Sequence, residues 1–144
     1  LEQKELYDRV DDAVCAVRSA LQDGILPGAG CALANIASGY ATASAEDEWQ
    51  ALAFAILSDA LLAPIRQILE NAGLDYETVY SEVEDNGYGY DVKRGSYGDL
   101  IELGVTDPCK VTKNALNNAI SVATTILSTN AIITMARSYE DADA

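Results

Sequence analysis

At 144 residues, 49% of them hydrophobic, the chain is long enough to bury one compact core and too apolar to be disordered. Nine basic residues against 23 acidic ones leave a formal charge of −14, which repels nucleic acid backbones and anionic membrane surfaces and excludes both as partners. The chain has no histidine, so acid–base or Mg²⁺ chemistry falls to carboxylates. Cys15, Cys31 and Cys109 are odd in number and form no CxxC pair, as expected of small buried thiols in a reducing compartment. The most apolar stretch, Leu52 to Leu69, is interrupted by Asp59, Pro64, Arg66 and Gln67, which argues against a membrane span. No stretch of the sequence reads as a signal peptide with a basic start and apolar middle, and the opening on Leu1 points to a piece of a longer protein.

In chain order, Leu6, Val10, Ala13, Val14, Val17 and Leu21 recur at three- and four-residue steps and predict a helix over 3–22 with one apolar stripe. Asp12 falls opposite that stripe, as a solvated helix carboxylate does. Gly24 fits a left-handed helix end, and Pro27 prevents immediate resumption. A second helix is expected over 30–43. A third runs from Trp49 to Asn71 after the capping residues Ser44, Asp47 and Glu48, with a kink or break near Leu61 imposed by Pro64.

A short helix is expected over 76–83, then tight turns at Asn86, Gly87 and Gly89 with a short strand or hairpin through Tyr88, Tyr90 and Asp91. One helical turn fits Tyr97 to Leu103. Asp107–Pro108 reads as the start of a helix reaching Ser128, with Val111, Ala115, Ala119, Val122, Ala123, Ile126 and Leu127 on its buried side. Ala131 to Thr134 suits a terminal edge strand that needs a partner, and residues 138–144 suit a flexible tail. The fold class is therefore mainly α, with a small β hairpin and a C-terminal edge strand.

Two glycine-rich connections, Gly24–Gly30 (GILPGAG) and Gly87–Lys113, sit between helical patterns and would form two walls of one nucleotide pocket if the fold brings them together. Each feature also has a plain structural reading. The first loop can be a simple helix-to-helix turn. The Asp107 carboxylate can cap a helix or accept hydrogen bonds from a ribose, and Tyr88, Tyr90 and Tyr97 can stack on a base or cover a core edge.

The order of these pieces carries a resemblance. RVDDAVCAVRSALQDGILPGAGCAL from Arg9, APIRQILENAG from Ala63, GYGYDVKRGSYGDLIELGVTDPCKVTKNAL from Gly87 and ISVATTIL from Ile120 together resemble the group I chaperonins, the GroEL family, over nearly the whole chain. The chain looks like the C-terminal part of such a subunit: 1–22 as the last helix of the intermediate domain, 23–137 as the C-terminal half of the equatorial domain, and 138–144 as a tail.

The resemblance implies ATP-driven protein folding in a single- or double-ring cage. Asp12, in VDDAV, matches the family's catalytic aspartate, which orients the water attacking the γ-phosphate. Gly28, Ala29 and Gly30 match a Gly-Gly-Gly contact to ribose and base; Asp91 and Val92 match an Asn-Ala pair beside the adenine; Asp107 matches the aspartate on the ribose hydroxyls. The implied cofactors are ATP and Mg²⁺, with K⁺ as a further cation. The implied partners are the N-terminal half of the subunit, a homo-oligomeric ring, unfolded client proteins and a co-chaperonin lid. The implied location is the cytoplasm of a bacterium, phage-infected or not, ahead of a mitochondrion or plastid.

Ala29 in place of the middle glycine is harmful only if its φ must be positive, and Asp91 in place of asparagine adds charge near a polyanion. The SYEDADA end, without Gly-Gly-Met repeats, points to a divergent member such as a phage-encoded one. The Gly-Asp-Gly-Thr-Thr phosphate loop and the apical domain of the family are absent from these 144 residues. The resemblance therefore assigns this chain the adenosine and water-positioning side of an ATPase site. The alternatives are a non-enzymatic helical assembly module with a vestigial pocket and, less supported by spacing, a carboxylate-based Mg²⁺ enzyme.

Overall fold

The computed structural model describes residues 2–80 and 88–133. The chain divides into two compact units, Leu1–Thr112 and Lys113–Ala144.

In the first unit, helix α1 (Glu2–Asp23) carries the apolar periodicity read from the sequence, but none of its residues is buried. Leu6, Val10, Val14, Val17 and Leu21 are all exposed, so the stripe finds no cover within the described residues. The helix ends as expected at Gly24, whose φ of 84° is left-handed and whose N–H donates to the Ala20 carbonyl at 2.8 Å. The chain then enters strand β1 (Ile25–Pro27), turns through Gly28–Gly30, and forms helix α2 (Cys31–Thr42).

Helix α3 (Glu48–Asn71) starts under Asp47, whose Oδ1 accepts from the Gln50 N–H at 2.7 Å. It runs unbroken through Pro64, contrary to a break there. A proline inside a helix costs about 3 kcal/mol, and burial offsets it here. Leu61, Ile65 and Leu69 are all buried on one face around the proline. By length and mean hydropathy alone, 1.6 over its best 18 residues, α3 could cross a bilayer. In this fold Ile65 and Leu69 pack a core with Ala34 of α2 and Val79 of the short helix α4 (Tyr76–Tyr80), while Trp49, Leu52 and Ile56 of the same helix as Ile65 are exposed. Further along α2 and α3, Tyr40 and Phe54 meet at 5.4 Å, and the Ser58 hydroxyl donates to the Ala37 carbonyl. The rest of the expected 76–83 helix lies outside the described residues.

Strands β2 (Tyr88–Asp91) and β3 (Ser96–Asp99) pair antiparallel, with Tyr90 opposite Tyr97. The hairpin replaces the helical turn expected over Tyr97–Leu103. Gly89 and Gly98 explain the choice: a Cβ at Gly89 would sit 2.8 Å from Leu100 Cδ1, and one at Gly98 would sit 2.9 Å from Leu103 Cδ1. The bare backbones let both leucines fold over the strands, and Leu100 is fully buried.

Strand β4 (Thr106–Pro108) pairs antiparallel with β1, setting Ile25 opposite Pro108 and Leu26 opposite Asp107. This ribbon was not visible in the sequence, and it corrects the Asp107 helix start. Residues 106–108 are drawn into strand pairing, the Cys109 N–H donates to the Gly24 carbonyl at 3.0 Å, and helix α5 (Cys109–Leu127) begins one residue past the proline.

No residue of α5 is buried, so the side expected to pack, including Val111, Val122, Ile126 and Leu127, is exposed. In the second unit, residues 131–133 form no strand, and Thr134 and the expected tail lie outside the described residues. Of the three free cysteines only Cys31 is buried; Cys15 is exposed and Cys109 partly so, which corrects the expectation of buried thiols.

Candidate functional site

The short ribbon and the hairpin together place the two glycine-rich connections side by side. The Gly28 N–H donates to the Val105 carbonyl at 2.9 Å, closing the first loop onto the second. A Cβ at Gly28 would stand 3.0 Å from that same carbonyl oxygen, so a side chain here would push the two backbones apart by a few tenths of an ångström. Next to this contact lies a cleft of about 520 Å³, within the usual size of small-molecule sites.

One wall of the cleft is the hairpin turn, Tyr90 to Arg94; the other is the Leu103–Gly104–Val105 segment, with Ala29 and Ile68 completing it. Most of these side chains are apolar. Among the expected site residues, Ala29, Asp91 and Val92 line this cleft. Gly28 is tied to Val105 of its wall by the backbone hydrogen bond above, and Gly30, at φ 76°, is the N-cap residue of α2.

Asp91 is 5% exposed and its carboxylate is fully engaged in shaping the turn. Oδ1 accepts from the N–H groups of Lys93 at 2.9 Å and Arg94 at 3.2 Å, Oδ2 accepts from Arg94 Nη1 at 2.7 Å, and the Asp91 carbonyl accepts from the Gly95 N–H. Burial pushes the carboxyl pKa up, but the Arg94 and Lys93 hydrogen bonds and the Arg94 charge outweigh it, and the net shift is downward. The extra negative charge that aspartate brings here is therefore answered locally.

Asp107 stands opposite Leu26 in the ribbon, two residues beyond Val105. It does not line the cleft. Its carboxylate accepts no hydrogen bond among the described residues, and partial burial raises its pKa. Asp12 is not part of the cleft. It lies exposed on α1, about 16 Å along the axis from Asp23 at 1.5 Å per residue.

Tyr97 belongs to the core edge: its hydroxyl donates to the Val79 carbonyl at 3.1 Å, and its ring meets Tyr90 edge-on at 4.9 Å. Tyr90 bridges the core and the cleft, and Tyr88 is exposed. Reasoning from the sequence missed Ile68, Arg94, Leu103 and Val105. The opposite charges at Asp91 and Arg94, three residues apart in a glycine-bounded turn, were the one signal available.

Ala29 has φ 54° and is the one described non-glycine residue in the left-handed region.

That conformation costs an L-residue about 1 kcal/mol or more. Ala29→Gly is expected to stabilise the fold by about 1 kcal/mol and to raise Tm by roughly 3 °C; thermal melting of the two proteins checks it, and an unchanged or lower Tm would show that the loop carries no strain.

Among the described residues, no group of three or more Cys, Asp or Glu side chains is placed to hold a metal ion. The chain is thus mainly helical, with two small antiparallel ribbons. The model of the TCP-1/cpn60 chaperonin family matches residues 2–137. The chain belongs to this family, and membership gives it a chaperonin-type role in protein folding, with oligomeric assembly and client proteins as the general setting.

Proposed function

We propose that these residues supply the adenosine side of an ATP site in a group I chaperonin subunit, together with the aspartate that orients the hydrolytic water. The observation that carries this reading is the convergence of Ala29 with Asp91 and Val92, more than 60 residues away in sequence, on one mostly apolar cleft. The base lies between the Tyr90–Arg94 turn and the Leu103–Val105 segment, where flat apolar walls exclude water from its faces. Asp107 accepts hydrogen bonds from the ribose hydroxyls. Its lack of a protein donor among the described residues leaves those lone pairs available. Gly28 keeps the loop backbone low enough for the ribose to approach.

Asp12 acts from α1 by orienting water at the γ-phosphate. The described residues do not fit Mg²⁺, so phosphate neutralisation by Mg²⁺, with K⁺ as a further cation, falls to residues outside this set. The uncovered apolar stripes of α1 and α5 support a further protein surface against each, as the N-terminal half of a subunit and neighbouring ring members would provide.

Titration of the 144-residue chain with adenosine, guanosine, ADP and ATP tests the division of labour. Weak binding of adenosine and ADP, little changed by Mg²⁺ and without hydrolysis, is expected. Hydrolysis at a normal chaperonin rate would overturn the split site. Equal or absent binding of adenosine and guanosine would favour an assembly module with a vestigial pocket.

A further inference from the structure

The two walls of the cleft are joined by one side chain. Arg94 Nη1 donates to Asp91 Oδ2 at 2.7 Å on the hairpin side and to the Leu103 carbonyl at 2.9 Å on the opposite side. Its own backbone N–H also holds Asp91 Oδ1, so Arg94 meets the buried carboxylate from both main chain and side chain. No other side chain in the described residues makes hydrogen bonds to both walls.

We propose that Arg94 is a positioning residue for the base: it fixes the spacing of the cleft walls by bonding Asp91 and Leu103, and it supplies the positive charge that allows an acidic residue to stand at Asp91 beside a polyanionic ligand. The inference rests on the adenosine reading of the cleft. A guanidinium suits both tasks, because it stays charged at any working pH and holds its donors in a rigid plane. Without it, Asp91 would be a nearly buried carboxylate facing an anionic nucleotide with no counter-charge, and the Leu103 segment would lose its tie to the turn. The lowered pKa of Asp91 agrees with such a counter-charge.

The test is steady-state ATPase kinetics and thermal melting of the complete subunit. Arg94→Met is expected to raise the apparent KM for ATP about tenfold while kcat stays within about twofold, the pattern of lost binding in both ground and transition states. Arg94→Lys should recover a large part of the KM effect, because an ammonium keeps the charge and can donate to one wall. The double variant Asp91→Asn with Arg94→Met should regain the Tm lost in Arg94→Met, since no buried charge is orphaned, yet keep a raised KM because the walls remain untied. That double variant also carries the KM prediction if Arg94→Met alone does not fold.

Val105→Trp, which fills the cleft from the opposite wall, separates the two levels of the argument. If it raises KM while a folded Arg94→Met protein shows only a lower Tm, Arg94 is merely structural and the inference fails while the adenosine site stands. If Val105→Trp leaves KM unchanged in folded protein, the cleft does not hold the base and the adenosine reading fails with it.

Discussion

Asp12→Ala in the complete subunit is expected to slow ATP hydrolysis by about 100-fold or more while leaving equilibrium ATP binding nearly intact. Positioned proton acceptors contribute on that order to catalysis, and a group that orients water does so only as the transition state forms. The structure leaves Asp12 available for this part: it sits on an exposed helix and its carboxylate has no hydrogen-bond partner among the described residues. Asp11, one residue earlier and about 100° around the helix, provides the control. Asp11→Ala should turn over at the normal rate. Phosphate release and nucleotide binding, measured on both variants, decide the matter; unchanged turnover in Asp12→Ala removes it from the catalytic role.

Asp107→Ala is expected to weaken ATP and ADP binding by about 10- to 100-fold, the range for losing hydrogen bonds to a charged acceptor, with a much smaller change in kcat. Asp107→Asn should fall between, because an amide keeps one acceptor and loses the charge. The sign of the pH effect follows from the raised carboxyl pKa. Ribose hydroxyls donate best to the ionised form, so this part of the affinity is present above the pKa of Asp107 in the free protein and lost as pH falls through it. The raised value moves that loss to a higher pH than an ordinary carboxylate would give. Nucleotide affinity in Asp107→Asn should lack this step. An Asp107→Ala protein that binds ATP normally would place the ribose elsewhere.

Local patterns carried much of the fold. The 3.6-residue periodicity located α1, Gly24 marked the end of that helix, and Asp47 marked the start of α3. What the sequence hid was non-local. The β1–β4 ribbon joins two three-residue segments some 80 positions apart, too short for any alternating pattern to register. Its formation turned Asp107–Pro108, a good local helix start, into strand.

The apolar stripes of α1 and α5 were read correctly as stripes but not as uncovered ones, because periodicity says which face is apolar and nothing about what covers it. In the cleft, Ala29, Asp91 and Val92 came from the resemblance, whereas Ile68, Leu103 and Val105 look like ordinary core residues in the sequence. Only the fold turns them toward shared space.

Gly24 joins a 22-residue helix with no buried residue to a ribbon held by backbone hydrogen bonds. Mechanically this is a long arm on a short pivot. At 1.5 Å per residue the arm is about 33 Å long and Asp12 rides about halfway along it. A tilt of about 10° at the pivot therefore carries Asp12 through about 3 Å, the length of one hydrogen bond. On such an arm, a small rotation is expected to bring the carboxylate proposed here to orient water into reach or take it out.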